Sequence, residues 1–238
     1  MSFAPILHAE WLKIRTLRPV YGALFALLAV STAFSALSGA SEPGADTLFM
    51  AFAGVLPGQI AAIAFGALAV SAEFHNGFLR VSLAAVPRRG RWFAAKAVAV
   101  GGPALAAALL TAVCSLAASR ASMGSGADTL TAGQQTRAVV GCGLYLALMA
   151  LLAAGLAAVL RSGVGALSVL VPFVLVVSFV VGDTAGKATD FLPDKAGQVV
   201  LHQAWEGSLG PWSGLAVTAG WAAAALAAGA WRVCRRDA

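Results

Sequence analysis

EFHNGFLRVSLAAVPRRGRWFAAK, residues 73–96, sets Arg80, Arg88, Arg89, Arg91 and Lys96 between two apolar runs, 47–72 and 97–119, that carry no charged residue. A membrane-crossing helix needs about 20 mostly apolar residues, because inside hydrocarbon every backbone N–H and C=O must be paired within its own segment. Both runs meet that length, so the stretch reads as a short basic connection between two crossings. Working outward, charge-free windows recur at 19–41, 138–160, 162–182 and 207–231. The hydrophobic fraction of 60%, the charged fraction of 11% and a mean hydropathy of +0.84 agree with a multi-span helical membrane protein and not with a soluble domain. The expectation is one all-α domain over 1–238 with six transmembrane helices, at about 20–40, 48–72, 97–118, 138–160, 163–182 and 211–232.

Basic residues in short loops remain on the cytosolic side during insertion. With the N-terminus inside, that side holds Lys13, Arg15, Arg18, Arg80, Arg88, Arg89, Arg91, Lys96, Arg161, Arg232, Arg235 and Arg236, twelve of the 16 Lys and Arg. Only Arg120, Arg137, Lys187 and Lys195 fall outside, where seven of the 10 acidic residues also lie. The high pI therefore reflects topology and attraction to the membrane surface, and no nucleic-acid partner is implied. The basic leader and following apolar run could imitate a signal peptide, but the run exceeds the usual 7–15-residue h-region, which favours an uncleaved first span. Within the leader, residues 3–18, Phe3, Leu7, Trp11 and Ile14 share a helical face. This fits an interfacial amphipathic helix anchored by Trp11, Lys13 and Arg15.

Cys114, Cys142 and Cys234 are odd in number and scattered, giving neither a disulfide framework nor metal-ligand spacing. Cys114 and Cys142 fall near the outer ends of their spans, where a bridge is imaginable, but small apolar residues is the better reading. The spans carry no ionisable group, which counts against an ion-coupled secondary carrier and against an intramembrane enzyme. Their strongest polar group is Gln59, in GVLPGQ, where Gly54 and Gly58 form a small-xxx-small pair and Pro57 interrupts the helix ladder. Pro103 and Pro172 are further bending points. The outer loop 183–210 keeps apolar pieces, FLP at 191–193 and VVLHQAW at 199–205, that could re-enter the membrane or cover its outer mouth. There His202 and Glu206 are spaced i,i+4, as in an exposed helical pair. GDTAGKAT at 182–189 mimics a phosphate loop, yet it is one residue short between its glycines and has Ala188 where a magnesium-binding hydroxyl is needed.

EWLKIRTLRP at 10–19, the 73–96 segment after the second span and LPDKAGQVV at 192–200 together resemble the ABC-2 type permeases of bacterial ABC exporters. The resemblance covers nearly the whole chain and is most specific at Glu73, Gly77, Arg80, Leu83 and AAVPRRGR, 84–91, with Phe78 standing where the family commonly has Thr. It implies that Phe78 opens a cytosolic coupling helix, about 78–86, seated on a separate ABC ATPase, with Glu73, Gly77, Phe78, Arg80, Leu83, Pro87, Arg88 and Arg89 as the coupling residues. It implies two such ATPase subunits, a second permease subunit, identical or related, and a pathway at the permease interface, with Gln59 and Ser178 as candidate lining. The chain itself would bind no cofactor, ATP and Mg2+ belonging to the ATPase, and would not be an enzyme. The implied location is the bacterial inner membrane, with both termini cytoplasmic and lipids as neighbours, and the implied activity is export of a drug, peptide or lipid-like substrate. A non-transporting sensor or scaffold that binds an ATPase is the principal alternative.

Overall fold

The computed structural model describes residues 3–38, 46–74, 88–123, 130–177, 186–205 and 207–235, together with Phe78, Ser82, Ala84 and Val86. Every regular element among them is helical. In chain order these are α1 (Phe3–Thr16), α2 (Arg18–Ser38), α3 (Thr47–Ala51), α4 (Val55–Ser71), α5 (Arg89–Met123), α6 (Ala132–Leu160), α7 (Gly163–Pro172), α8 (Pro193–Gln198) and α9 (Pro211–Arg235). Short turns of 3-10 helix cover Ala72–Phe74, Gly186–Phe191 and Val199–Leu201, and Phe173–Val177 forms a π-helical turn. Five helical stretches, Arg18–Ser38, Val55–Phe74, Arg89–Met123, Ala132–Leu160 and Pro211–Arg235, are long and apolar enough to cross a membrane. The protein is thus an all-α, multi-pass membrane protein.

Helix α6 is the centre of the bundle, packed between α4, α5 and α9. With no hydrophobic drive between helices in lipid, close approach comes from small residues. A Cβ on Gly66 would lie 1.9 Å from the Ala150 carbonyl oxygen, and one on Gly155 2.5 Å from the Ala225 backbone. Gly54 and Gly58 do the same for α2 and α4, each meeting Ser31.

Several boundaries differ from the sequence reading. The second span is broken before Pro57, by a turn at 52–54; Pro57 is the third residue of α4, where a missing N–H leaves no hydrogen bond unmade. Helix α6 begins at Ala132 rather than 138, because Thr131 and Gln134 form a reciprocal capping box. Helix α5 runs 35 residues with Pro103 inside, starting at Arg89 and not at 97. Lys96, expected at the membrane boundary, is inside this helix and buried. The expected span 163–182 is helical through α7 and the π turn, which begins directly after Pro172; residues 178–182 lie outside those described.

The helices alternate between two ends. At one, Lys13, the Glu73 turn, Lys96, Arg89, Val233 and the Ser71–Gly163 contact come together. At the other, Asp46, Arg137 and His202 meet.

Candidate functional site

At the first end the bundle encloses four full charges. Glu10 and Lys13 come from α1, Glu73 from the 3-10 turn that closes α4, and Lys96 from the second turn of α5. Lys96 Nζ donates to Glu10 Oε2 and to Glu73 Oε1, both at 2.8 Å. Lys13 Nζ donates to Glu10 Oε1 at 2.9 Å and to Glu73 Oε1 at 3.0 Å. Trp92 Nε1, one helical turn before Lys96, donates to Glu10 Oε1 at 3.1 Å. Ser82 completes the cluster: its hydroxyl donates to Glu73 Oε2 at 3.0 Å and accepts from Lys13 Nζ at 2.9 Å. Relative exposure is 2% for Glu10, 3% for Glu73 and 1% for Lys96. Two acids and two bases sum to zero, and every carboxylate oxygen has a donor, which is the condition for holding such charges out of water.

Lys13 forms the outer edge of the cluster, with 37% of its side chain exposed. Burial alone lowers the pKa of its ammonium, but hydrogen bonding and attraction from Glu10, then Glu73, outweigh that and hold it above the ordinary lysine value.

The cluster ties together α1, the end of α4, the start of α5 and the segment that begins at Phe78. That segment has a described helical turn, in which the Val86 N–H donates to the Ser82 carbonyl at 3.0 Å. Its first described residue, Phe78, is 56% exposed, and Arg88 is exposed as well. Arg89 turns back to the bundle and donates to the Val233 carbonyl at 3.2 Å. Glu73 and Lys13, singled out from the sequence, are brought together here, while Trp11 and Arg15 stand exposed on α1. Gly77, Arg80, Leu83, Pro87 and Ser178 lie outside the described residues.

The face of α1 buried in the bundle is Ile6, Glu10 and Ile14, with Leu7 partly buried beside it, while Phe3 and Trp11 of the interfacial stripe stay exposed. The helix is turned so that Glu10 reaches Trp92 and Lys96. The sequence reading missed Glu10, Trp92, Lys96 and Ser82 as a group. Its available signal was a carboxylate on an otherwise apolar i,i+4 stripe, Ile6–Glu10–Ile14, facing a lysine on another, Trp92–Lys96–Val100.

Gln59 is buried in a second, uncharged cluster. Tyr145 donates its O–H to Gln59 Oε1, and Gln198 Nε2 donates to Gln59 Oε1 at 3.3 Å and to the Tyr145 hydroxyl at 3.2 Å. This joins α4 and α6 to α8, so the segment from Pro193 to Leu201 folds into the bundle, with Ala196, Val200 and Leu201 buried. Its continuation is held at the rim: His202 Nδ1 lies 3.1 Å from Asp46 Oδ2 and its ring stacks on Phe49 at 4.4 Å. His202 therefore pairs with Asp46, and Glu206, its expected partner, lies outside the described residues. All three cysteines are free, with Cys142 buried and Cys234 exposed.

The site and fold together define the class: a helical multi-pass membrane protein with four charges, Glu10, Lys13, Glu73 and Lys96, paired into a neutral cluster at one end. No protein-family model and no curated protein sequence matches the chain.

Proposed function

We propose that this chain is the membrane-spanning subunit of an ATP-driven transporter, with the segment beginning at Phe78 docking on a separate ATPase and the buried cluster transmitting its movement to the helices. One observation carries the reading: Ser82, on that segment, is hydrogen-bonded to Glu73 and Lys13, and through them to Lys96 and Glu10. A displaced surface segment moves a bundle only if it is tied to several helices at once. Here the tie reaches α1, α4 and α5. Glu73 then acts from inside the protein as a positioning residue, while exposed Phe78 and Arg88 offer the contact surface. The ABC-2 permease resemblance of residues 73–91 supports the same assignment, including a second permease copy or sister subunit and export as the direction.

Six crossings, with both termini cytosolic, complete the proposal. Gly163 abuts Ser71 at the charged end, whereas Thr218 donates to the Pro193 carbonyl at 2.8 Å and Gln198 reaches Gln59 towards the other. A chain that changes sides between α7 and α8 fits this even number of crossings.

The test is ATP-dependent substrate accumulation in inverted vesicles containing the chain and a candidate ABC ATPase. Glu73→Gln and Ser82→Ala are expected to leave ATP hydrolysis running while transport falls at least tenfold. Transport driven by an ion gradient with no ATPase present, or unchanged transport in the Glu73→Gln, Ser82→Ala double variant, overturns the assignment. Hydrolysis that responds to the chain with no cargo moved leaves the scaffold reading in its place.

A further inference from the structure

At the charged end of the bundle, two arginines outside the Glu10–Lys96 cluster carry buried donors with no acceptor among the described residues. Nε and one terminal nitrogen of Arg161, and Nε of Arg232, are shielded from solvent and have no hydrogen-bond partner among the described residues. A guanidinium donor left unpaired in such a position carries the full desolvation penalty, so an unmet pair of them calls for an acceptor.

Packing sets the two residues at neighbouring helix ends. Helices α6 and α9 run side by side in the same direction: a Cβ on Gly155 would touch Ala225 and Leu226, and one on Gly229 would lie 2.9 Å from Ala158 Cβ. One helical turn beyond that contact, three residues on from Ala158 and from Gly229, stand Arg161 and Arg232. Arg161 is also the one described non-glycine residue with positive φ, 53°, so the backbone accepts a costly conformation where this side chain leaves the helix. Both arginines are only partly buried as residues. The carboxylates described at this end, Glu10 and Glu73, are already held by Lys13 and Lys96.

We propose that Arg161 and Arg232 form a binding site for a phosphate group at the membrane surface, carried by an anionic phospholipid headgroup or by a free phosphate compound. Two planar guanidinium forks match the oxygens of a phosphate, and a basic pocket between helix ends is where anionic headgroups dock. The site is independent of which motor, if any, drives the bundle.

The experiment uses the full chain purified in detergent and stripped of lipid, with thermal unfolding and native mass spectrometry as readouts. Phosphatidylglycerol is expected to raise the midpoint by several degrees and to remain bound, with phosphatidylcholine roughly 10- to 30-fold weaker, the effect of two cations. Arg161→Gln with Arg232→Gln abolishes that preference. Arg161→Lys with Arg232→Lys keeps part of it, and Arg18→Gln, an exposed charge elsewhere, leaves it intact. Should the double variant not fold, each single Gln variant is expected to lose part of the preference. Millimolar inorganic phosphate that stabilises the protein and displaces phosphatidylglycerol assigns the site to free phosphate; phosphatidylglycerol binding that phosphate does not displace assigns it to lipid. Equal stabilisation by the two lipids with no response to phosphate, or a full phosphatidylglycerol response in the Gln variants, overturns the proposal.

Discussion

The two ends of the bundle solve the same task with different chemistry. Each must fasten a segment that does not cross the membrane onto helices that do. The charged end uses four ionised groups, three of them at 3% exposure or less. The opposite end uses neutral hydrogen bonds, Gln59–Tyr145–Gln198, backed by one rim pair, Asp46–His202. Buried charges tolerate almost no loosening, because each one freed from its partner is left in a poor solvent. Amides and hydroxyls can exchange partners or accept a water at small cost. The charged end is therefore held together more rigidly than the neutral end.

Lys96→Met gives the largest expected break in this contrast. It removes two ion pairs and leaves Glu10 and Glu73 buried with only Lys13 between them, a loss of about 3–5 kcal/mol. Thermal unfolding of the purified protein measures it. Adding Glu10→Gln and Glu73→Gln to Lys96→Met is expected to recover much of that loss, and no recovery would mean that packing, not charge, holds the joint.

At the neutral end, Tyr145→Phe is expected to cost only about 1 kcal/mol, since Gln198 still donates to Gln59. A cost equal to that of Lys96→Met would erase the distinction between the ends. His202→Ala comes next, at about 0.5 kcal/mol globally. Hydrogen exchange over 199–205 is the sharper readout, with protection lost there and kept in α4 and α6.

The smallest effect is a pH dependence of the charged end. Because Lys13 has its pKa raised on folding, its contribution is complete below the ordinary lysine value of about 10.4 and fades as pH climbs through the higher folded value. Unfolding midpoints taken from about pH 8 to about pH 12 are expected to fall more steeply for the wild type than for Lys13→Met.

The apolar runs made the crossing helices legible, because backbone pairing in hydrocarbon leaves long helices as the solution for such sequences. Their ends were less so. The start of α5 was obscured by Arg89, Arg91 and Lys96, which composition reads as a loop; the burial of Lys96 depends on Glu10, which is 86 residues away in sequence. Likewise Gln59 was recognisable as a costly group needing a partner, but nothing local names Tyr145 or Gln198. Glu73 stood out through its neighbours in the 73–91 pattern, whereas Ser82 looks like any polar loop residue until Glu73 and Lys13 are placed around it.

Helix α5 has a further property that follows from its length alone. Its 35 residues extend about 52 Å, against roughly 30 Å of hydrocarbon. Pro103, fourteen residues from the first, leaves the Ala99 carbonyl without its helical donor, and a helix bends most easily at such a point. The arm from Pro103 back to Arg89 measures about 21 Å. By simple trigonometry a tilt of about 10° there would carry its tip through nearly 4 Å, most of the rise of one helical turn.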